Sequence, residues 1–259
     1  MEQTIIRRTA EVQYKTADRL NTRISIHEKY STNPQGFGNW IVSHYDFKPG
    51  VKVLELGCGT GGMWLGQDEL IKRCRSLVLS DFSEGMLTAT RETLHGYGTI
   101  EYRRIDIQDI PYPAASFDAV IANMMLYHVP NLDLGLSEVR RVLKKDGQFY
   151  CATYGENGIL PYLCSLFDLP LADSGLNHAF TLQNGEQTLR RHFKWVERHN
   201  YSDSLAVTDV EDLVDYMRSL TGVTSLRTLP REQLRAVLQS HMVDGVLTVP
   251  KDYGMFIAS

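Results

Sequence analysis

The chain has 259 residues, of which 43% are hydrophobic and 22% are charged, and its formal net charge at pH 7 is -4. This composition is typical of a globular protein, and the length favours one elaborated domain or one domain with a small cap. Because the chain is slightly acidic, it lacks the electrostatic footprint of a protein that binds nucleic acid or an anionic membrane, and we expect neither partner.

The spacing of the cysteines and the lack of a recognisable secretory signal bear on the expected cellular compartment. The four cysteines form no C-x-x-C pair, so we expect neither a metal site nor a disulfide framework. The sequence shows no secretory signal and no long apolar span. We therefore expect a cytoplasmic protein.

Residues 1–50 precede the first predicted strand, and we expect them to form a helical cover segment. Residues 2–19 mix charged and apolar positions at helix-like spacing. Trp40, Ile41 and Tyr45 form one apolar face of a second predicted helix. The rest of the chain, 51–259, is then the ligand-binding domain.

The stretch Val51-Lys-Val-Leu-Glu-Leu-Gly-Cys-Gly-Thr-Gly-Gly62 combines a buried strand with a glycine-rich turn. The apolar run ends at Gly57, and the glycines that follow let the backbone approach a ligand without Cβ clashes. Helix-compatible residues continue from Met63 to Cys74, and a helix N-terminus offers unpaired N–H donors and a partial positive charge. This order of elements indicates a nucleotide-type site at the first switch of an α/β sheet.

Two ligands compete for this loop. Gly57, Gly59 and Gly62 satisfy the dinucleotide spacing G-x-G-x-x-G, a pattern that is weak on its own. Glu55 stands just before the first glycine, however, and a carboxylate there would repel a pyrophosphate. S-adenosylmethionine has no phosphate and carries an ammonium and a sulfonium cation, which an acidic residue suits. A structural turn without any ligand is the third interpretation.

The run Val53-Leu-Glu-Leu-Gly-Cys-Gly-Thr-Gly61 closely resembles the first motif of the class I S-adenosylmethionine-dependent methyltransferases. The resemblance implies S-adenosylmethionine as the cofactor. It also implies a Rossmann-like, seven-stranded, mostly parallel sheet whose last strand is antiparallel. The cofactor-binding residues that it implies in this loop are Glu55, Gly57, Cys58, Gly59, Thr60 and Gly61.

The second predicted strand, 76–81, ends on a carboxylate. The spacing from the glycine loop to Asp81 is that of a ribose-binding acid, and a carboxylate can accept from both ribose hydroxyls. Ser83 is a candidate cap for the next helix. Phe82 and Met86 are placed to line the adenosine face, although Met86 also suits core packing.

The third predicted strand, 99–105, is followed by Asp106-Ile-Gln-Asp109. The resemblance implies an acid here that accepts from the adenine amino group, with the next backbone N–H meeting a ring nitrogen. Asp106 and Ile107 match these two places. Asp109 remains a rival for the acid.

The fourth predicted strand, 119–123, ends where acceptor and methyl group should meet, because ligands bind at the carboxyl ends of parallel strands. Asn123 and Met124 are candidates to contact the methionine part of the cofactor. His128 is the candidate general base or orienting group, since its ordinary pKa lies near neutrality. The alternative is that His128 caps or packs the following helix.

The remaining elements complete an α/β fold. We predict a helix over 131–145, strands over 148–154 and 195–201, and a last strand over Tyr253–Ala258. Helical insertions are expected at about 155–192 and about 209–250. The alternation of strands and helices predicts a doubly wound sheet with right-handed crossovers.

The substrate candidates come from the cover. In methyltransferases that resemble this chain, the N-terminal segment often closes over the cofactor and contributes to the substrate pocket. That implies Tyr14, Arg23, His27 and Tyr30 as substrate-contacting candidates, and Tyr154 joins them from the end of the fifth strand. An amphipathic helix with a solvated polar face is the competing interpretation of the N-terminal residues.

We therefore predict an S-adenosylmethionine-dependent methyltransferase that transfers the sulfonium methyl group to a small molecule. An NAD(P)-dependent oxidoreductase and a protein that holds the cofactor without turnover are the alternatives. Glu55 and the pair Asp106-Ile107 argue against the oxidoreductase. Asn123-Met-Met-Leu stands where resembling enzymes that methylate nucleic-acid amino groups often carry an Asn-Pro-Pro-aromatic run, which favours a small acceptor.

Overall fold

The computed structural model describes residues 25–170, 176–220 and 224–259. The substrate candidates Tyr14 and Arg23 lie outside the described residues. No helix in the described part of the chain is both long enough and apolar enough to cross a membrane.

A seven-stranded sheet organises the chain, with the strand order β3-β2-β1-β4-β5-β9-β6. Strands β1 to β5 pair in parallel, and β9 runs antiparallel to both β5 and β6. This confirms the predicted mostly parallel sheet with an antiparallel last strand. The strands are β1 (Val51–Leu56), β2 (Cys74–Asp81), β3 (Ile100–Arg104), β4 (Phe117–Ile121), β5 (Leu143–Tyr154), β6 (Val196–Tyr201), β7 (Ser204–Val207), β8 (Leu247–Pro250) and β9 (Tyr253–Ala258).

Helices connect the strands and cover the sheet. Helix Leu132–Val142 begins at Asn131, whose side chain accepts from the N–H of Leu134, and helix Glu84–Thr93 is capped in the same way by Ser83. The other described helices are Phe37–Val42, Asp68–Arg73, Ile159–Leu166, Gly185–Leu189, Val210–Ser219, Thr224–Thr228 and Arg231–Ser240, with 3-10 turns at Gly62–Trp64 and Leu126–His128 and a helical stretch over 25–30.

Apolar residues on the two faces of the sheet belong to two separate core clusters. Successive residues of a strand point to opposite faces, so Val53 packs with Trp64 and Ile71 on one side. Its neighbour Leu54 packs on the other side with Val139, from helix Leu132–Val142. With both faces buried, the β1 strand and its glycine turn are held firmly at the centre of the sheet.

A third apolar cluster lies around a small second sheet that the sequence did not predict. Strands β7 and β8 pair antiparallel, and helices Val210–Ser219 and Arg231–Ser240 pack in the same cluster. A buried ion pair between Lys251 and Asp203 lies close to this sheet, and Lys251 also donates to Ser31 Oγ at 2.8 Å. The insertion expected to be helical over about 209–250 therefore ends in strand β8, because that segment pairs with a strand about 40 residues earlier in the chain.

Candidate cofactor site

A cavity of about 400 Å³ opens at the carboxyl ends of the central strands, where parallel α/β sheets bind ligands. Of the cofactor-binding residues predicted from the sequence, all except Gly61 line it, and so does His128. The lining consists of Glu55, Leu56, Gly57, Cys58, Gly59, Thr60, Gly62, Met63, Asp81, Phe82, Ser83, Met86, Ile105, Asp106, Ile107, Gln108, Asn123, Met124, Met125, His128, Val129 and Pro130.

The three glycines of the turn have positive φ angles, and each has a different neighbour. Gly57 has a φ of 74°, and a Cβ there would lie 2.8 Å from Met125 Cγ. Gly59 has a φ of 58° and open space where a Cβ would be, so its backbone is accessible to a ligand. Gly61 packs against the following helix instead, because its Cβ would lie 2.7 Å from Thr90 Cγ2. That close packing explains why Gly61 does not line the cavity.

Asp81 is held by the backbone of two neighbouring turns. The N–H of Gly59 donates to Asp81 Oδ2 at 3.0 Å, and the N–H of Ser83 donates to Oδ1 at 2.9 Å. Burial raises the pKa of this carboxyl group above its ordinary value, and the backbone donors oppose that effect. Each oxygen keeps a lone pair for a further donor, such as a hydroxyl group of a ligand.

Asp106, rather than its rival Asp109, lies at the cavity. The side-chain amide of Gln108 donates to Asp106 Oδ1 at 3.0 Å. The oxygen of the same amide, Gln108 Oε1, accepts a hydrogen bond from the backbone N–H of Asn131 at 3.1 Å. Gln108 therefore ties the acid after β3 to the segment that follows β4, which carries His128.

The residues after β4 form the opposite wall. Asn123 uses both ends of its amide within the protein: Nδ2 donates to the Tyr45 hydroxyl at 2.7 Å, and Oδ1 accepts from the N–H of Ala152 at 3.0 Å. Met124 has a φ of 53°, a strained value for a residue with a long side chain. His128 ends a 3-10 turn, with its ring centroid 4.5 Å from that of Tyr127. Burial lowers the pKa of His128, which favours the neutral imidazole.

Glu55 is a buried carboxyl group with one indole donor. The residue is only 3% exposed, and the Trp64 Nε1–H donates to Glu55 Oε2 at 2.6 Å. Burial raises its pKa to about 7, the indole donor opposes the rise, and the nearby charge of Asp81 adds to it. The acid predicted to receive a cation is therefore near the midpoint of its titration at neutral pH.

The described substrate candidates lie away from the cavity lining. Tyr154 packs against Tyr127, with ring centroids 4.5 Å apart, and its hydroxyl donates to the Asn177 carbonyl at 3.1 Å. Tyr30 donates to Asp212. His27 is partly buried, and desolvation together with the charge of Lys251 lowers its pKa to about 4. The two N-terminal candidates thus sit beside the small second sheet rather than in the wall of the cavity.

Several lining residues were not predicted from the sequence. Gln108 stands between the two rival acids, and a search for side-chain donors next to Asp106 would have found it. Met63 and Met125 bring polarizable side chains to the wall, but nothing in the local sequence separates them from core methionines. Ser83 was predicted only as a helix cap, a role that it does fill.

The residues present fit S-adenosylmethionine. The described lining includes three acids, Glu55, Asp81 and Asp106, and it contains no lysine or arginine that could bind a phosphate. The cavity volume lies within the usual range for small-molecule sites. These acids would repel the phosphates of a dinucleotide and attract a cationic ligand. The cavity and its open glycine turn therefore suit a cationic adenosyl ligand better than a dinucleotide.

Comparison with known proteins shows which proteins the chain resembles. Residues 54–151 match a family described as a methyltransferase domain. The ubiquinone/menaquinone biosynthesis C-methyltransferase UbiE of Xanthomonas oryzae pv. oryzae is 32% identical over 120 residues, which are 45% of this chain and 47% of that protein. The sterol 24-C-methyltransferase ERG6B of Gibberella zeae is 27% identical over 224 residues, covering 81% of this chain and 57% of that protein. The chain thus spans about half the length of the curated relatives that it matches.

Solved structures share the fold. The YcgJ protein from Bacillus subtilis superposes with a TM-score of 0.59 at 15% identity, covering 85% of this chain and 96% of that one. The [4+2]-cyclase SpnF superposes with a TM-score of 0.51 at 14% identity, covering 85% and 79%. The sheet order and the glycine turn define a class I S-adenosylmethionine-dependent methyltransferase fold. Together with the domain match over residues 54–151, they support a methyltransferase of this class, for which the cofactor is S-adenosylmethionine.

Proposed function

We propose that the chain is an S-adenosylmethionine-dependent methyltransferase that acts on a small-molecule acceptor. The observation that carries the proposal is the acidic cavity at the carboxyl edge of the sheet, with an open backbone at Gly59 and no lysine or arginine in its described lining. Bound there, the cofactor supplies a methyl group activated by its sulfonium centre. The protein then contributes positioning and the exclusion of water.

The adenosine end of the cofactor is assigned to the residues after β2 and β3. Asp81 accepts from the ribose hydroxyls, because its two oxygens are fixed by backbone donors and keep free lone pairs. Asp106 accepts from the adenine amino group, and the N–H of Ile107 meets a ring nitrogen. Phe82 and Met86 cover the adenosine face. Arg104 lies over the Phe82 ring at 5.2 Å and donates to the Phe82 carbonyl, which fixes that side chain.

The methionine end is assigned to the glycine turn and the residues after β4. Glu55 provides negative charge for the cationic end of the cofactor, and the loop residues Gly57, Cys58, Gly59, Thr60 and Gly61 shape the turn around it. Asn123 and Met124 complete this wall. Because the Asn123 amide is occupied by Tyr45 and Ala152, it contributes mainly by fixing the strand end rather than by free donors.

His128 is proposed to orient the acceptor or to remove its proton. It lies in the cavity wall, and burial keeps its imidazole neutral to lower pH than usual, which is the form that a general base needs. The proton would be taken from the acceptor at an imidazole nitrogen.

The acceptor is proposed to be a small molecule, bound between the cavity and the cover. The relatives are named for ubiquinone and menaquinone biosynthesis and for sterols, which supports a small acceptor for this chain as well. The segment before residue 51 and the two insertions are assigned to the cover, with Tyr14, Arg23, His27, Tyr30 and Tyr154 as its candidate contacts. The four free thiols fit a reducing, cytoplasmic setting.

Two measurements test this function. Calorimetric titration should detect binding of S-adenosylmethionine and S-adenosylhomocysteine but not of NAD; binding of NAD alone would contradict the proposal. Incubation of a metabolite extract with methyl-deuterated cofactor, read by mass spectrometry, should then reveal a labelled small molecule. The second step is needed because a [4+2]-cyclase shares the fold, so the fold by itself does not assign methyl transfer.

A further inference from the structure

Glu55 is the most deeply buried of the three acids in the cavity wall. It is 3% exposed, whereas Asp81 and Asp106 are of intermediate exposure. Its donor, Trp64, is itself 1% exposed and lies in the core on one face of the sheet. Within the described ranges, no lysine, arginine or histidine forms an ion pair with Glu55.

We propose that Trp64 is a positioning residue for Glu55, and that this pair couples binding of the cationic cofactor to release of a proton. Glu55 carries a proton in part of the free protein and loses it to solvent when the ammonium or sulfonium group of the ligand enters. The indole N–H holds the carboxyl group in one orientation, facing the cavity. The inference rests on the proposed function, because it assumes that the cavity receives S-adenosylmethionine.

The physical basis is the cost of leaving a negative charge buried without a counter-charge. Burial raises the pKa of Glu55 to about 7, with the indole donor of Trp64 opposing the rise and the charge of Asp81 contributing to it. The other titratable groups that face this region are Cys58, Tyr45 and, across the cavity, His128. Cys58 and Tyr45 remain neutral because burial raises the pKa of both. A bound cation therefore supplies the counter-charge that the free site lacks.

The pH dependence of cofactor binding follows from the way in which a bound cation changes the pKa of Glu55. A cation lowers the pKa of Glu55, so binding releases a proton at pH values below the free pKa of about 7 and releases little above it. Affinity should rise with pH up to about neutrality and then level off. The amino group of the ligand is already fully protonated at pH 6, so it does not contribute to the release there.

The test is calorimetric titration of the full chain with S-adenosylmethionine, without an acceptor, at pH 6 and pH 7, where the amino group of the ligand is still mostly protonated. Each titration is repeated in two buffers of different ionisation enthalpy, so that the number of protons released is obtained. From a free pKa of about 7, the expected release is roughly 0.9 proton at pH 6 and roughly 0.5 at pH 7. The affinity should be about fivefold weaker at pH 6 than at pH 7.

Two variants assign the proton to this pair. Glu55→Gln should abolish the release at pH 6 and flatten the pH dependence of affinity. Trp64→Phe keeps an aromatic ring but removes the N–H donor, so the midpoint of the pH dependence should move to higher pH. A purely structural role for the indole would lower the melting temperature and leave that midpoint unchanged, which would overturn the assignment of Trp64.

His128→Asn is the matched control, because it removes the imidazole across the cavity, whose pKa burial lowers from its ordinary value. The release should persist in that variant. Loss of the release in His128→Asn, or its persistence in Glu55→Gln, would overturn the inference. So would binding of S-adenosylmethionine by the unaltered protein without proton release at pH 6, whereas absence of binding at every pH would refute the proposed function itself.

Discussion

Replacing Asp81 by asparagine tests the ribose assignment with almost no change in shape. In the structure, both oxygens of Asp81 accept backbone N–H groups, from Gly59 at 3.0 Å and from Ser83 at 2.9 Å. An amide offers an acceptor on one side only, so one of these N–H groups loses its partner. The amide also cannot accept from two ribose hydroxyls as a carboxylate does.

The expected loss of cofactor-binding free energy can be estimated from these contacts. A hydrogen bond to a charged group contributes about 1.5–3 kcal/mol, so we expect Asp81→Asn to weaken cofactor binding by ~1–3 kcal/mol. That corresponds to a roughly 5- to 150-fold higher Kd. Two effects on stability oppose each other: because burial raises the pKa of Asp81, removing its charge relieves a cost to the folded state, whereas the backbone N–H group that loses its acceptor is destabilising.

The assay is calorimetric titration with S-adenosylhomocysteine, combined with thermal unfolding at pH 7.5. Asp109→Asn is the matched control, since it changes a nearby acid that does not line the cavity, and it should titrate like the unaltered protein. If Asp81→Asn binds as tightly as Asp109→Asn, the ribose does not lie on Asp81. If it melts well below the unaltered protein, the loss of binding reflects the fold rather than the site.

Three further variants probe the turn, the adenine acid and the histidine. Gly59→Val should abolish binding, because its side chain would enter the ligand space, whereas Gly61→Val should mainly lower the melting temperature, because its Cβ would lie 2.7 Å from a helix side chain. Gln108→Leu removes a side-chain donor to Asp106 and should raise the Kd of S-adenosylhomocysteine by roughly 2- to 13-fold. His128→Ala should lower kcat by roughly 10²–10⁴-fold with an unchanged cofactor Kd, and the rate of the unaltered enzyme should fall only below pH 6.5, since burial lowers the pKa of His128. Full activity in His128→Ala would end the general-base proposal.

The parts of the fold that depend on local signals were predictable. Strand β1 begins and ends where the apolar run does, and β9 was placed over Tyr253–Ala258, because a buried strand appears in sequence as a short apolar run bounded by turn residues. The helix expected over 63–74 was wrong in detail. Gly66 has a φ of 72°, which no α-helix contains, so the segment divides into the 3-10 turn Gly62–Trp64 and the helix Asp68–Arg73.

Features that depend on distant pairing were not predictable. The two strands of the small sheet are joined by a segment of about 40 residues, and strand propensity alone does not identify such partners. Within the insertion expected to be helical over about 155–192, the described residues form only the helices Ile159–Leu166 and Gly185–Leu189. The same limitation applies to the site. Acids at strand ends were recognisable, but the pairing of Trp64 with Glu55 is defined only by the folded chain.

The difference between Glu55 and Asp81 bears on turnover. Asp81 accepts backbone N–H groups, which partly offset the cost of desolvating its charge whether or not a ligand is bound. Glu55 has one indole donor, so its charge depends on the ligand. In the proposed reaction, methyl transfer would convert the sulfonium of the cofactor into a neutral thioether and so remove one positive charge from the neighbourhood of these acids. The attraction that draws the cofactor in is therefore weaker for its product, and because opposite charges in a low-dielectric cavity interact strongly, this difference favours release of S-adenosylhomocysteine over retention.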